Sequence, residues 1–539
     1  MGGNKYVLAM YDVRGKQEFI FRTNKLQEIV GASWLIRDVF KDYLFPAAKE
    51  YKAKGIYSYV NTEDNSGSKF SVEEFGKRIN SNEYIGEVVY EGGGNFIVLF
   101  KDEDTFKEIT YRFTKKVMEE VGTLRVLGTA IEIDDFNDYA ADRAKLYKKH
   151  RIQEAQESNI SPWSCLPIVQ VDRKTSQPLV DYDFSNDISR EIKGKILQKG
   201  VEGKLSKESI AKLLKYYSEK KRIAEKSKDD LKASEITLQK NSEDILDKLV
   251  TDKGTDSLLA IVYIDGNNMG VKVQEATEDV RSYEDSVQKL REFSQKTQSI
   301  YIDEGTKEAF KGLESKSFRL VVSAGDEINF IVNAHDAFKC AENYLNYLKN
   351  KKEEGASACA GIAVFHSHAP YADVYRIAEE ACESGKRKMK DAGLDAASFI
   401  DFHICQGAIG VSLDWIRKEE NGDIISRPWM IWCDGEPGEK NVGITSYKDV
   451  KFYLNYINEF ARSNVKGLLS AAKEGLVPLQ MEINRMYGHT SEKIKKDHKE
   501  EWESIMKDLK NDNTKENVRS IFYDIALAYD LWFKKEVQK

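Results

Sequence analysis

Residues 258–270 read LLAIVYIDGNNMG, and residues 318–334 read FRLVVSAGDEINFIVNA. The first is an apolar run of strand length that stops at Asp265. The second is two such runs joined by Ala324-Gly325-Asp326-Glu327. Short apolar runs bounded by turn residues read as buried strands, and a Gly-containing turn between two of them reads as a hairpin. An amphipathic helix at about 280–305 lies between the first strand and the hairpin. A helix at 335–351, a strand at 357–366, a helix at 371–391 and a strand at 398–404 follow. Strand, helix, hairpin, helix, strand is the order of a ferredoxin-like sandwich.

The same order occurs earlier in the chain. Residues 5–12 (KYVLAMYD) read as a strand and 24–51 as an amphipathic helix. YIGEVVY (84–90) and NFIVLF (95–100) form a hairpin around Glu91-Gly92-Gly93-Gly94, and a helix at 103–121 and a strand at 124–133 complete the set. Both copies place an acid, Asp12 or Asp265, at the end of the first strand, so the architecture reads as duplicated. Between the copies, residues 187–250 are rich in Lys, Glu, Ser and Leu and read as solvated helices. From about 445 to 539 the apolar spacing is near 3.6, the pattern of a C-terminal helical bundle. The expected class is α+β: a first domain at 1–155, a connecting region with a charged helical insertion at 156–256, a second domain at 257–440 and the bundle at 441–539.

Composition narrows the functional classes. At 539 residues the chain is long enough for three or four folding units at about 150 residues each. With 41% hydrophobic and 32% charged residues and only 8 prolines, it reads as soluble and globular. A net charge of −7 argues against a surface that coats nucleic acid throughout and leaves room for a local basic groove. The six cysteines never fall at C-x-x-C spacing, Cys165 has no paired thiol, and no apolar run has the length of a signal or membrane segment. Neither a zinc ribbon nor a disulfide framework is expected, and a cytoplasmic location is.

The chemistry concentrates at Asp265 and at Asp326-Glu327. In a ferredoxin-like sheet the first strand lies beside the hairpin, so acids 61 positions apart converge over one sheet edge. Hard oxygen ligands suit Mg²⁺ or Mn²⁺, and paired divalent ions about 3.5–4 Å apart serve nucleotidyl transfer. The small residues Gly266, Ala324 and Gly325 leave room for a triphosphate to approach the backbone. Lys386, with Arg387, Lys388 and Lys390, ends the helix 371–391, where cations also satisfy the helix dipole. His366 and His368 alternate at a strand end with no third ligand evident in the sequence.

Together these segments resemble a known family. VYIDGNNMG (262–270), SAGDEINFIV (323–332) and CAGIAVFHSHAPYADVYRIAEEACESGKRK (359–388) resemble the GGDEF and adenylyl-cyclase palm. They are more closely similar to the second palm of the large polymerase-like subunit of type III CRISPR effector complexes. YDVRGKQEFIF (11–21), KLQEIVGASWLI (25–36) and GGGNFIVLF (92–100) resemble that subunit's first palm. The resemblance implies two palms that bind two ATP molecules and join them into cyclic oligoadenylates for antiviral defence, with other effector subunits and crRNA as partners. It implies Asp265 and Asp326 as metal ligands for Mg²⁺ or Mn²⁺, the Gly266 carbonyl as a further ligand, Glu327 as a neighbouring acid and Lys386 as a phosphate contact. Asn267 and Asn268 join Gly266, Ala324 and Gly325 in the nucleotide-binding set. The first-palm turn, Gly93-Gly94-Asn95, has no carboxylate and is expected to hold the acceptor nucleotide, with Asp12 structural.

Three departures accompany the likeness. Asn267 stands where relatives often carry Asp, which removes a charge beside the metals, and Ala324 stands where they usually carry Gly. With the first palm read from residue 5, no HD nuclease domain is expected before it, and His335-Asp336 begins a palm helix without other His or Asp partners, so DNA cleavage is not expected. The alternative reading is a weak or inactive scaffold subunit of an RNA-guided complex. A GGDEF-like enzyme acting on GTP is a third.

Overall fold

The computed structural model describes residues 6–23, 25–59, 69–81, 83–92, 95–133, 135–156, 168–173, 175–182, 190–200, 203–225, 249, 257–278, 280, 282–313, 318–407, 410–422, 424–434 and 443–532. Gly93, Gly94, Cys165 and residues 226–248 lie outside the described residues. The chain divides into two compact units. One is Met1–Gln239 with Asn268–Ile302 and Val321–Asp326, and the other is Lys240–Asn267 with Asp303–Leu320 and Glu327–Lys539.

The first unit holds β1 (Tyr6–Arg14), β2 (Gly55–Tyr57), β3 (Tyr84–Gly92), β4 (Asn95–Phe100) and β5 (Arg125–Ile133) in the order β2-β3-β4-β1-β5. The strand β1 runs antiparallel to both β4 and β5. Its residues Val7 to Tyr11 are buried, as an apolar run without alternation requires of a central strand. The order β3-β4-β1-β5 is ferredoxin-like, with β2 added in parallel at the edge of β3. The segment read as one helix over 24–51 is Leu26–Val39, a π-helical turn Phe40–Leu44 and Phe45–Glu50. The wide turn brings Phe40 onto Phe96, with ring centroids 4.5 Å apart. Helix Tyr283–Thr297 belongs to this unit and is anchored on β3 by Arg291, which donates to Glu87 at 2.9 Å and to the Val88 carbonyl at 2.5 Å.

The connecting region departs from the solvated reading. A two-stranded sheet, β6 (Leu179–Val180) with β7 (Leu205–Ser206), leads into helix Lys207–Glu225. Ile210, Leu213 and Tyr216 of that helix form a core with Val30 and Trp34. The two helices cross so closely that a Cβ on Gly31 would fall 2.0 Å from the Lys212 carbonyl. Lys212 itself is fully buried and donates to Glu208 and to the Phe19 carbonyl. Interspersed Lys and Glu conceal an apolar stripe at helical spacing.

The second sheet comprises β8 (Leu258–Gly266), β9 (Phe318–Ala324), β10 (Glu327–Asn333), β11 (Ala358–His366), β12 (Ala397–Ile404), β13 (Trp429–Cys433) and β14 (Thr445–Ser446). Its order is β14-β13-β12-β11-β8-β10-β9. The run β11-β8-β10-β9 repeats the ferredoxin-like order of the first sheet, and β12 extends it in parallel with β11. The expected helix at 280–305 is in fact Tyr283–Thr297 followed by a π-helical Gln298–Glu304, and a separate helix, Met269–Glu278, precedes it. Ser282 divides the two by accepting a hydrogen bond from the Asp285 N–H, a cap that starts a new helix. Helices Tyr447–Asn458, Arg462–Glu474, Leu476–Gly488, Glu492–Asp497, Lys499–Asp508 and Lys515–Trp532 occupy the C-terminal region.

A buried ionic network ties this last region to the sheet. Asp524 on the final helix accepts from Arg427 at 2.8 Å, and Arg417 grips Asp401 of β12 with two bonds of 2.7 and 2.9 Å. His403, two residues along β12, is pushed down from 6.5 to about 3 by burial and by the charges of Arg427 and Arg417. The unfolded chain therefore protonates His403 near its ordinary value, while the folded chain keeps it neutral, so acid favours unfolding from about pH 6.5 downward. The expected outcome is that His403→Gln shows a smaller drop in urea midpoint between pH 7 and pH 4.5 than the wild type.

Candidate active site

Helix Tyr371–Asp391 sets the site. Val374, Ile377, Ala378, Ala381, Cys382, Gly385 and Met389 form its buried stripe at helical spacing and lie on the sheet. Contact with β11 is backbone to backbone: a Cβ at Gly361 would fall 1.9 Å from the Ala378 carbonyl and 2.4 Å from the Cys382 nitrogen. This seating carries Lys386 to the end of β8, where its ammonium donates to Asp265 Oδ2 at 2.5 Å. Burial pulls the Lys386 pKa down, and the Asp265 charge overrides it and holds the ammonium well above the usual range. Both side chains keep partial exposure, at 20% and 23%.

Glu327 opens β10. Ile328 pairs with Ile264 in the antiparallel ladder, so the next step of that register sets Glu327 against Asp265, at roughly 5 Å between Cβ atoms. Glu327 Oε1 accepts from the Tyr375 hydroxyl at 3.0 Å, and the Tyr375 ring meets Tyr263 edge-on at 5.4 Å. Burial, then the charges of Glu327 and Asp265, raise the Tyr263 pKa far above its ordinary value, so the phenol stays protonated beside the acids. One helix thus holds both carboxylates, Tyr375 and Lys386 lying about three turns apart along it.

Between β9, which ends at Ala324, and β10 stand Gly325 and Asp326. Gly325 has φ +66°, a conformation glycine adopts without strain. Asp326 is half-buried, and its charge acts on Lys272 and Tyr90 within the first unit. Gly266 is buried as the last residue of β8, and Asn268, exposed at φ +56°, turns the chain into helix Met269–Glu278.

Asn267 departs from its sequence reading. The residue is 1% exposed, its N–H donates to the Ser357 carbonyl at 2.9 Å and its amide donates to the Ala397 carbonyl at 2.7 Å. The side chain latches the end of β8 to the start of β12, so its amide nitrogen is committed to the fold instead of to nucleotide. A carboxylate there would lose the donor and face a carbonyl oxygen.

The first sheet has the same ladder step with different chemistry, for Asp12 pairs with Asn95. Asp12 is surrounded by Arg14 at 3.0 Å, Lys16 at 3.5 Å and His150 at 3.8 Å. Burial pushes its pKa up, but His150, Lys16 and Arg14 together hold it below the usual carboxylate range. Asp12 is thus committed to local cations.

Among the described residues no group of three or more His, Cys, Asp and Glu gathers at metal-binding distance. The oxygen donors of the second sheet fit a Mg²⁺ or Mn²⁺ that takes most of its ligands from water and phosphate, the usual manner of Mg²⁺ at nucleotide sites. His366 and His368 are exposed with ring centroids 5.4 Å apart and belong to no such group. Among the described residues no helix is long and apolar enough to cross a membrane.

Residues 258–393 match the family model for Cas10/Cmr2, second palm domain. The fold is similar to a chain of the crystallised Csm1-Csm4 cassette in complex with pppApA, with TM-score 0.53 and 11% identity over 99% of this chain and 70% of that one. The cassette in complex with AMPPNP gives TM-score 0.51 and 12% identity over 98% and 70%. The apo cassette gives 0.45 and 11% over 74% and 54%, so this chain spans between about half and 70% of the matched chains. No curated protein matches the chain.

Asn267→Asp supplies a check on the latch. It is expected to lower stability by about 1–3 kcal/mol in urea unfolding, the scale of a buried polar group left without its bond, and a variant as stable as the wild type would contradict the latch.

Proposed function

We propose that this chain, Cas10-like in the palm formed by residues 258–393, converts ATP to cyclic oligoadenylates by divalent-metal-dependent nucleotidyl transfer. The observation that carries the reading is the lysine–carboxylate pair at the end of β8, Lys386 on Asp265, with Glu327 one ladder step across. The matched cassettes hold ATP, AMPPNP, pppApA and pppApApA, which are substrate, analogue and linear products of such a reaction.

In this mechanism Lys386 exchanges Asp265 for the triphosphate, where a charge-assisted bond to phosphate replaces the bond to carboxylate. Asp265 and Asp326, with the Gly266 carbonyl, would hold Mg²⁺ or Mn²⁺. When bound, the cation supplies charge neutralisation at the α-phosphate and lowers the pKa of the attacking 3′-hydroxyl. Glu327, fixed by Tyr375, keeps negative potential beside that position. Gly325 and Ala324 give the triphosphate backbone access, and Gly93, Gly94 and Asn95 of the first palm hold the acceptor nucleotide. The domain limits that accompany this reading are 1–155, 156–256, 257–440 and 441–539. The setting is a cytoplasmic, RNA-guided type III CRISPR effector complex, with crRNA and other effector subunits as partners.

Labelled ATP with Mn²⁺ tests the proposal, using the chain alone and the chain assembled with crRNA, partner subunits and target RNA. Oligoadenylates and pyrophosphate are expected. Asp265→Asn and Asp326→Ala are each expected to cut turnover about 100-fold or more, the scale of losing one contact to developing charge, with unchanged thermal midpoints. Absence of turnover in both preparations rejects the enzyme and leaves a scaffold.

A further inference from the structure

Two fully buried acids, Asp401 and Asp524, lie outside the mechanism above. Asp401, on β12, accepts from Arg417 at 2.7 and 2.9 Å and from the Ser384 hydroxyl, and the Arg427 guanidinium stands 3.7 Å away. Asp524, on helix Lys515–Trp532, accepts from Arg427 at 2.8 Å and from the N–H and hydroxyl of Ser426 at 2.7 and 2.8 Å. A continuous run of buried polar groups therefore leads from the final helix through Arg427 and Asp401 to Ser384 on helix Tyr371–Asp391.

The end of that run bears on the site. Ser384 precedes Lys386 by two positions, so the two side chains leave the helix about 200° apart. Ser384 reaches Asp401 of β12, Lys386 reaches Asp265 of β8, and β11 lies between those two strands. Gly385 seats the helix between the two contacts, where a Cβ would fall 3.3 Å from the Cys359 Cβ of β11 and 3.0 Å from the Phe399 Cβ of β12. The helix thus straddles β11 with one tether on each flank. A roll that frees one flank displaces the other, so the Ser384–Asp401 bond sets how Lys386 extends over β8.

Buried ion pairs are a costly way to join a helix to a sheet, since apolar side chains of similar volume often hold as well or better. Apolar packing is already present at this junction, where Phe338 stacks on Trp532 at 4.3 Å and Trp429 meets Trp532 at 5.9 Å. What the charged groups add is direction, because a hydrogen bond to a fixed carboxylate sets an angle as well as a distance. We propose that Asp401 and Asp524 are positioning residues for Lys386, acting through Ser384, so that the C-terminal helices help to place the lysine that meets phosphate. This deepens the nucleotidyl-transfer reading and rests on it, adding residues that touch no substrate.

Binding of AMPPNP with Mg²⁺ to the full chain, measured by calorimetry as a double-mutant cycle, tests the role. Ser384→Ala removes the tether and leaves both ion pairs in place. It is expected to weaken AMPPNP about 10-fold, the scale of one hydrogen bond to a charged group, and to have no effect when Lys386→Met is already present. Ser384→Thr, which keeps the hydroxyl, is expected to retain wild-type affinity. Asp524→Asn, at the far end of the run, is expected to weaken AMPPNP about 3-fold or more, the lower end of the same scale, and again to have no effect beside Lys386→Met. Weakening by Ser384→Ala that is equal in the two backgrounds, or a Ser384→Ala chain with a lower thermal midpoint and wild-type affinity, overturns the positioning role. Wild-type affinity in Asp524→Asn overturns the part assigned to the C-terminal helices. Either result with Lys386→Met impaired leaves the nucleotidyl-transfer reading standing. A wild type that binds no AMPPNP, or Lys386→Met that binds it as the wild type does, overturns both.

Discussion

Helix Tyr371–Asp391 lies on β11 with no side chain between the two backbones at Gly361, and the site depends on that approach. A methyl at Gly361 would meet the Ala378 carbonyl at 1.9 Å and lift the helix from the sheet. Ala378, Ala381, Cys382 and Gly385 continue the contact with small side chains, so the helix sits low enough for a lysine to reach the end of β8. The same helix supplies Tyr375 to Glu327, and the position of both carboxylates follows from one packing distance. Ser384 adds a hydrogen bond to Asp401, which Arg417 neutralises, so the helix is also fixed against rotation by a buried charge pair.

The two sheets share an order and differ in what that order presents. At corresponding steps of the ladder, the first sheet pairs Asp12 with Asn95, and the register of the second sets Asp265 against Glu327. Asp12 has Arg14, Lys16 and His150 around it, whereas Asp265 has one lysine from a crossover helix. Two cations and a histidine around one acid make a closed local structure. One lysine on a partly exposed acid makes a more open one.

Much of this was legible in the sequence because buried strands advertise themselves. LLAIVYID and INFIVNA are too apolar for a solvated face, and the positions of Asp265 and Glu327 at their ends follow from strand limits alone. Helix 371–391 was legible from its stripe of small and apolar residues. The side-chain directions were not. Asn267 lies two residues past Asp265, just beyond the end of β8, where its amide meets the Ala397 carbonyl, and only the pairing with Ser357 and Ala397 reveals it. The core face of Lys207–Glu225 was hidden by charge composition, since burial of Ile210, Leu213 and Tyr216 depends on the partner helix Leu26–Val39.

The proposed exchange of Lys386 between Asp265 and phosphate is open to direct observation. A crystal structure of the chain grown with AMPPNP and Mn²⁺, with Mn²⁺ located by anomalous scattering, is expected to show a Mn²⁺ peak at Asp265 and the Lys386 ammonium moved onto a phosphate oxygen. Bound AMPPNP with no Mn²⁺ at Asp265 and the Lys386–Asp265 bond intact would contradict it.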